Sequence, residues 1–110
     1  MLRVWPASEV TEDLVRAVHH LLPQLSGSAR LPSGLEIDQI VSSHATTLLL
    51  ASNDGPGSEA SAPIVGMLTL VTFRLPTGVR AWVEDVVVDS AARGQGVGEA
   101  LTQAAIELAA

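Results

Sequence analysis

A run of valines that leads into a glycine-rich loop decides the fold: residues 83–98 read VEDVVVDSAARGQGVG. Residues 79–89 have the β-branched composition of a strand. Residues 99–110 are mainly Ala, Leu, Glu and Gln, which are strong helix formers. The stretch therefore predicts a strand that enters a helix through a loop containing Gly94, Gly96 and Gly98.

A loop of this kind is suited to binding an anion. The first amides of a helix have no partner within the helix and point along its axis. Glycine allows the positive φ angles that let phosphate oxygens approach the backbone closely. Arg93 adds a fixed positive charge beside these amides. The pattern favours a ligand with a phosphate or pyrophosphate group, and a plain strand-to-helix turn is the alternative.

Two common phosphate-binding motifs do not fit this loop. The dinucleotide pattern G-x-G-x-x-G fails, because its last position falls on Glu99 or Leu101, and the phosphate loop needs a lysine that the chain lacks. Arg93, Gly96 and Gly98 instead match the pattern [R/Q]-x-x-G-x-[G/A]. On this motif, placed after a fourth strand, the chain resembles the GNAT superfamily of acetyl-coenzyme A-dependent N-acetyltransferases.

Two helices are expected in the first half of the chain. Apolar residues at helical spacing between residues 10 and 25 predict a helix with Ser8 as its cap, which ends or kinks at Pro23 near residue 22. Residues 33–36 read as a capping box that opens a second helix. Its expected buried residues are Leu35, Ile40 and Val41.

The remaining segments predict strands and loops. Residues 3–5 predict a short strand stopped by Pro6, and residues 46–51 and 64–73 predict two longer ones. Residues 53–63 are rich in Ser, Gly, Pro and Ala and predict a mobile hairpin loop, and residues 76–78 predict a turn. The order is strand, helix, helix, three strands, helix.

We therefore expect a single α/β domain over residues 1–110, with a mixed, mostly antiparallel sheet flanked by helices. The resemblance implies the GNAT fold, of which this chain would hold the N-terminal two thirds. The family's fifth strand, fourth helix and last two strands would be absent. Because the helical pattern is unbroken at Ala110, we expect the natural protein to continue.

The resemblance also implies which residues bind the cofactor. The backbones of Val86, Val87 and Val88 would contact the pantetheine arm and the thioester of acetyl-coenzyme A, with the Val86 amide as oxyanion donor. The pyrophosphate would be bound by the loop residues Arg93, Gly94, Gln95, Gly96, Val97 and Gly98.

Glu84 is the candidate general base, since it precedes this cofactor-binding segment on the same strand. In a strand without a bulge it would share a face with Trp82, Val86 and Val88. A solvated or arginine-paired carboxylate is the alternative role for Glu84. Asp85 is expected to be structural, and Asp89 with Ser90 to cap the following turn.

Composition excludes several kinds of chemistry. There is no Cys, and all six basic residues are Arg, so cysteine nucleophiles, thiolate metal sites and lysine Schiff bases are impossible within this chain. His19, His20 and His44 have no metal-ligand spacing, and we expect no metal. The net charge of −6 disfavours nucleic acid as a partner, and no apolar run is long enough to span a membrane. A cytoplasmic location is expected.

These observations predict an N-acetyltransferase that moves an acetyl group from acetyl-coenzyme A to a primary amine of a small molecule or peptide. One alternative is a non-catalytic acyl-coenzyme A-binding or regulatory module, and another is a chain completed by a second chain. Since residues 79–89 are apolar on both faces, we also expect a homodimer or self-association through the free edge of this strand.

Overall fold

A computed structural model describes residues 2–53 and 63–110 of the chain. Its elements follow in the order β1 (Leu2–Pro6), α1 (Glu12–Leu25), α2 (Gly34–Ser42), β2 (Thr46–Asn53), β3 (Ile64–Leu75), β4 (Gly78–Val88), a 3₁₀ turn (Ser90–Ala92) and α3 (Val97–Ala109). The strands form one sheet in the order β1-β2-β3-β4, and every pairing is antiparallel. This element order confirms the prediction.

The sheet buries a different apolar layer on each face, because successive side chains of a strand point to opposite sides. Leu48, Leu50, Met67 and Val87 pack under α1 and α2. The opposite face packs against α3, through Leu49, Ala51, Leu68, Leu70, Val97, Leu101 and Ala105. The two layers fix α3, and with it the glycine-rich loop, on the face opposite to α1 and α2.

Helix α1 begins later and ends later than expected. Its cap is Thr11, whose hydroxyl accepts the N–H of Leu14 at 3.1 Å, so the expectation of Ser8 as cap was wrong. Thr11 lies directly before the acidic first turn that the helix dipole favours. Pro23 does not end the helix at residue 22. It removes only one backbone hydrogen bond, close to the end of the helix at Leu25.

Helix α2 has the expected start but a different buried face. Ser33 and Glu36 exchange both bonds of a capping box, as predicted. Leu35, however, is 70% exposed, and Ile37 is fully buried in its place. Since Ile37 is three and four residues before Ile40 and Val41, those three share the core-facing stripe, while Leu35 lies outside it.

The capping box makes α2 sensitive to acid. The Ser33 N–H, followed by the Arg30 guanidinium, lowers the pKa of Glu36 to about 2. Because the folded pKa lies below the unfolded value, this carboxylate stabilises the fold above about pH 4.5, and the effect is lost as the pH falls towards 2. We expect Glu36→Ala to lower the urea midpoint at pH 6, with the gap to the parent closing towards pH 2.

Glu107→Ala is the matched control for this series, because Glu107 lies on an exposed face of α3 and caps no helix. It is expected to follow the parent at every pH. A gap between parent and Glu36→Ala that stays constant from pH 6 to pH 2 would contradict the electrostatic explanation.

The β3–β4 hairpin closes tightly, and its turn lies where the sequence predicts it. Leu75 pairs with Gly78 across the two-residue loop Pro76-Thr77. The predicted loop at residues 53–63 falls almost entirely outside the described residues. Within residues 2–53 and 63–110, no helix has the length and apolarity needed to cross a bilayer.

Candidate functional site

The glycine-rich loop connects the end of β4 to the start of α3. After β4, the Asp89 carboxylate accepts the Ala91 N–H at 3.1 Å and caps the 3₁₀ turn, as the sequence predicts. The backbone then passes through Gly94 at φ 83° and Gly96 at φ 82°. These are left-handed conformations that side chains other than glycine adopt at a cost. The loop therefore depends on these two glycines for its path.

The start of α3 presents backbone amides without acceptors inside the helix. Gly96 is the N-cap residue and offers no side chain, and the first amide bonded within the helix is that of Ala100, to the Gly96 carbonyl at 3.0 Å. The amides of residues 97–99 thus have no intrahelical partner. A Cβ at Gly94 or Gly96 would meet nothing within 4 Å, so open space adjoins the backbone there. This arrangement can receive an anion.

Two side-chain contacts hold the loop in place. Arg93 is exposed, and its Nε donates to the Val88 carbonyl at 3.4 Å, which ties the base of its guanidinium to the end of β4. The Asn53 side-chain amide donates to the Gln95 side-chain oxygen, which connects the loop to the end of β2. Arg93 is therefore held at the end of β4, four residues before the first free amide of α3.

A bulge in β4 changes the face on which Glu84 lies. Thr69 pairs with Glu84 and Met67 with Val87, so Asp85 and Val86 together oppose the single residue between Met67 and Thr69. Asp85 takes the left-handed conformation, with φ 50°. Such an insertion shifts the alternation of side chains by one residue.

Because β4 contains this bulge, the face expected for Glu84 in a regular strand holds only on the side of Trp82. Glu84 still shares a face with Trp82, through their partners Thr69 and Val71, but beyond the bulge it shares that face with Val87. Val88, opposite Gly66, points towards the α3 side. The carboxylate of Glu84 thus lies on the α1 and α2 side of the sheet, beyond the part of that face which the helices bury.

The expected cofactor-binding residues form one continuous stretch along β4 and the loop. Val87 is buried, Val88 is half-buried, and Val86 lies exposed in the bulge. Within the described residues, β4 pairs with a strand on one side, and Val79, Trp82, Val83 and Val86 are exposed along it. Self-association through this edge stays a prediction.

Side chains of helix α1 contact the 3₁₀ turn that precedes the loop, and the sequence did not indicate this contact. The His20 Nε2 atom lies 3.0 Å from Asp89 Oδ2, and the Gln24 side-chain oxygen accepts the Ser90 N–H at 2.8 Å. The hydrogen bond from the Ala91 N–H is the main interaction that lowers the pKa of the Asp89 carboxyl. Hydrogen bonds from His20 and Gln24 lower it further. Pairs 66 and 69 residues apart leave no local signal in a sequence.

Gly66 is a second residue that sequence reasoning missed. It lies on β3 opposite Val88, and a Cβ there would be 2.7 Å from Val97 Cγ1 and 3.1 Å from Leu101 Cδ1. Its missing side chain lets the first turn of α3 lie directly on the sheet. Gly66 therefore sets the position of the helix end that carries the free amides.

A groove beside α1 and the ring of His19 do not involve the glycine-rich loop. A groove of about 810 Å³ between α1 and the sheet is lined by residues that include Trp5, Glu9, Asp13 and His20, but by none of residues 93–98. The His19 ring lies 2.6 Å from the Pro32 carbonyl. Across residues 2–53 and 63–110, no three His, Asp or Glu side chains come close enough together to hold a metal ion.

A family model covers most of this chain. The sequence model described as the acetyltransferase (GNAT) family matches residues 14–110. A search among curated proteins gives no match. Among solved structures, a transcriptional regulator from Bacillus halodurans C-125 is 31% identical with a TM-score of 0.74, and the alignment covers 99% of this chain and 74% of that one.

Two further structures share this architecture. A Trypanosoma brucei acetyltransferase is 25% identical with a TM-score of 0.68, covering 98% of this chain and 74% of its own. An aminoglycoside acetyltransferase from an uncultured soil metagenomic sample is 17% identical with a TM-score of 0.78, covering 97% of this chain and 68% of its own. The last likeness concerns the fold alone.

Proposed function

Since the chain belongs to the GNAT acetyltransferase family, we propose that it binds acetyl-coenzyme A and transfers the acetyl group to a primary amine. The observation that carries the proposal is the start of α3, where the free amides of residues 97–99 adjoin two left-handed glycines and Arg93. A pyrophosphate fits this site because it can accept several N–H bonds at once and is attracted by the guanidinium.

In this proposal the rest of coenzyme A follows β4. The pantetheine arm contacts the backbones of Val86, Val87 and Val88, and the acetyl group lies near the bulge. The bulge supports this placement, because a residue inserted into one strand is left out of the regular pairing with its neighbour. The Val86 amide is then the donor for the oxyanion that forms on the acetyl carbonyl.

The chemical step needs alignment and one proton acceptor. The Glu84 carboxylate takes one proton from the ammonium form of the acceptor, directly or through one water. The neutral amine then attacks the thioester carbon, the C–N bond forms, the C–S bond breaks, and the second proton of the nitrogen leaves with the coenzyme A thiolate. The chain contains no Tyr or Cys to protonate the thiolate.

Cofactor binding is the direct test. We expect Arg93→Ala to weaken coenzyme A binding about tenfold or more, since a charge-assisted contact to phosphate contributes roughly 1.5–3 kcal/mol. Gly96→Val should weaken it further, because valine strains the left-handed backbone and its Cβ occupies the open space beside the amides. Isothermal titration calorimetry with coenzyme A measures both effects.

Two control variants separate this site from general changes in charge and loop conformation. Arg74→Ala removes an exposed charge at the far end of β3, and Gly27→Val adds a side chain in a loop where nothing lies within 4 Å. Both should bind coenzyme A like the parent. Unchanged affinity in Arg93→Ala and in Gly96→Val would overturn the proposed cofactor site.

A regulatory module that binds coenzyme A without turnover is the second candidate. The observation that favours it is the name of the 31% identical structure, a transcriptional regulator. Two results together would support this candidate over the acetyltransferase. Coenzyme A binding would be saturable, and amines would cause no release of coenzyme A thiol beyond that from hydrolysis of acetyl-coenzyme A.

A further inference from the structure

An exposed aromatic surface continues from Glu84 towards the β3–β4 hairpin. The pairs Thr69–Glu84, Val71–Trp82 and Phe73–Arg80 place these six side chains on one face of the sheet. It is the face that α1 and α2 cover further along, at Met67 and Val87. Around Trp82 the helices no longer bury the sheet, since Trp82 is 56% exposed.

Trp82 is held in place although it is exposed. Its ring meets Phe73 of the neighbouring strand edge to face, with centroids 5.1 Å apart and an interplanar angle of 65°. Pairs of this geometry attract each other beyond the effect of the area they bury. The indole is therefore a positioned apolar surface rather than a freely rotating side chain.

The charged residues on either side of Trp82 give this surface a negative end and a positive end. Glu84 is two residues away on the same face, about 6.5 Å along the strand, and Arg80 is equally far on the other side. An ammonium group is attracted to the carboxylate of Glu84 and to the π face of an aromatic ring. If the bound amine carried a second positive charge further along, the guanidinium of Arg80 would repel it. The surface therefore disfavours polyamines.

We propose that Trp82 determines the acceptor, and that the acceptor is a monoamine carried on an apolar or aromatic body, with its ammonium at Glu84 and its body against Trp82. The inference rests on the proposed acetyl transfer and specifies its second substrate. Polyhydroxylated amines match the centre of this surface poorly, because Val71, Phe73 and Trp82 offer them only the indole N–H. The other polar groups of this face, those of Thr69, Glu84 and Arg80, lie at its two ends.

The two tryptophans make a binding test possible without turnover. Trp5→Phe removes the other indole, so the remaining fluorescence reports Trp82 alone. Phenethylamine is titrated into this variant without acetyl-coenzyme A, and 2-phenylethanol, glucosamine and spermidine are the comparison ligands. We expect a saturable change with phenethylamine at a dissociation constant at least fivefold below those of the other three.

Variants at the site make the test specific. By calorimetry, Trp82→Leu and Glu84→Gln should each weaken phenethylamine binding about fivefold or more, and Phe73→Leu by a smaller factor. Trp5→Phe should leave it unchanged. Because Trp82 is more than half exposed, Trp82→Leu is expected to keep the parent circular dichroism spectrum, with a urea midpoint lowered only by the loss of the pair with Phe73. Equal affinity for phenethylamine and glucosamine, or no effect of Trp82→Leu, would overturn the assignment.

Coenzyme A binding, measured on the same preparation, separates this inference from the proposed function. Binding of coenzyme A without preference for phenethylamine overturns the acceptor assignment and leaves the acetyltransferase proposal standing. Binding of phenethylamine at Trp82 without any binding of coenzyme A overturns both the cofactor site and the role of Trp82 as an acceptor site.

Discussion

Replacing Glu84 by Gln is expected to lower the rate of acetyl transfer by about 10²–10⁴-fold, while coenzyme A affinity stays unchanged. The amide keeps the size of the side chain but cannot take a proton from the attacking amine. Glu84 is exposed and contributes to neither apolar layer, so the fold should be unaffected. Steady-state release of coenzyme A thiol, with a primary amine as acceptor, measures the effect.

Asp85→Asn is the matched control for this variant. It also replaces a carboxylate by an amide, one residue away, and asparagine tolerates the left-handed conformation that Asp85 adopts. Its rate should stay close to that of the parent. Equal rates across pH for parent and Glu84→Gln would instead assign Glu84 to a structural role.

The features that the sequence predicted are those encoded by neighbouring residues. The capping box at Ser33 and Glu36, the Asp89 cap and the glycine-rich loop each depend on fewer than seven consecutive positions, and each appears where it was expected. The family resemblance rests on the same loop, and the match over residues 14–110 confirms it. The roles of Glu84 and of residues 86–88 and 93–98 stay predictions.

The wrong predictions have a different cause. In each case two nearby residues are equally suited to a role by the local sequence, and contacts elsewhere in the fold decide between them. Ser8 and Thr11 are both good helix caps, and the helix begins after Thr11. Leu35 and Ile37 are both apolar, and only the orientation of α2 on the sheet buries Ile37. The bulge in β4 could not be predicted from a glycine, because the residue with positive φ is Asp85, within a valine-rich strand.

The position of α3 depends on a contact that no local pattern indicates, and Gly66→Val is expected to disturb it strongly. The added Cβ would lie 2.7 Å from Val97 Cγ1, and the Val87 carbonyl at 3.4 Å limits movement of the strand. Val97 is buried and β-branched, so it has few other rotamers. We expect Gly66→Ala to destabilise the fold by about 1–3 kcal/mol and Gly66→Val by more.

Urea unfolding measures this loss, and calorimetry with coenzyme A shows whether the start of α3 has moved. Gly34→Ala is the control, because its Cβ would make an ordinary contact at 3.9 Å with Val15. Removing the opposing methyl groups tests the cause: in a double-mutant cycle, Val97→Ala should cost less stability in the Gly66→Ala background than in the parent. Strictly additive effects, or a Gly66→Ala midpoint equal to that of the parent, would show that α3 does not depend on this close approach.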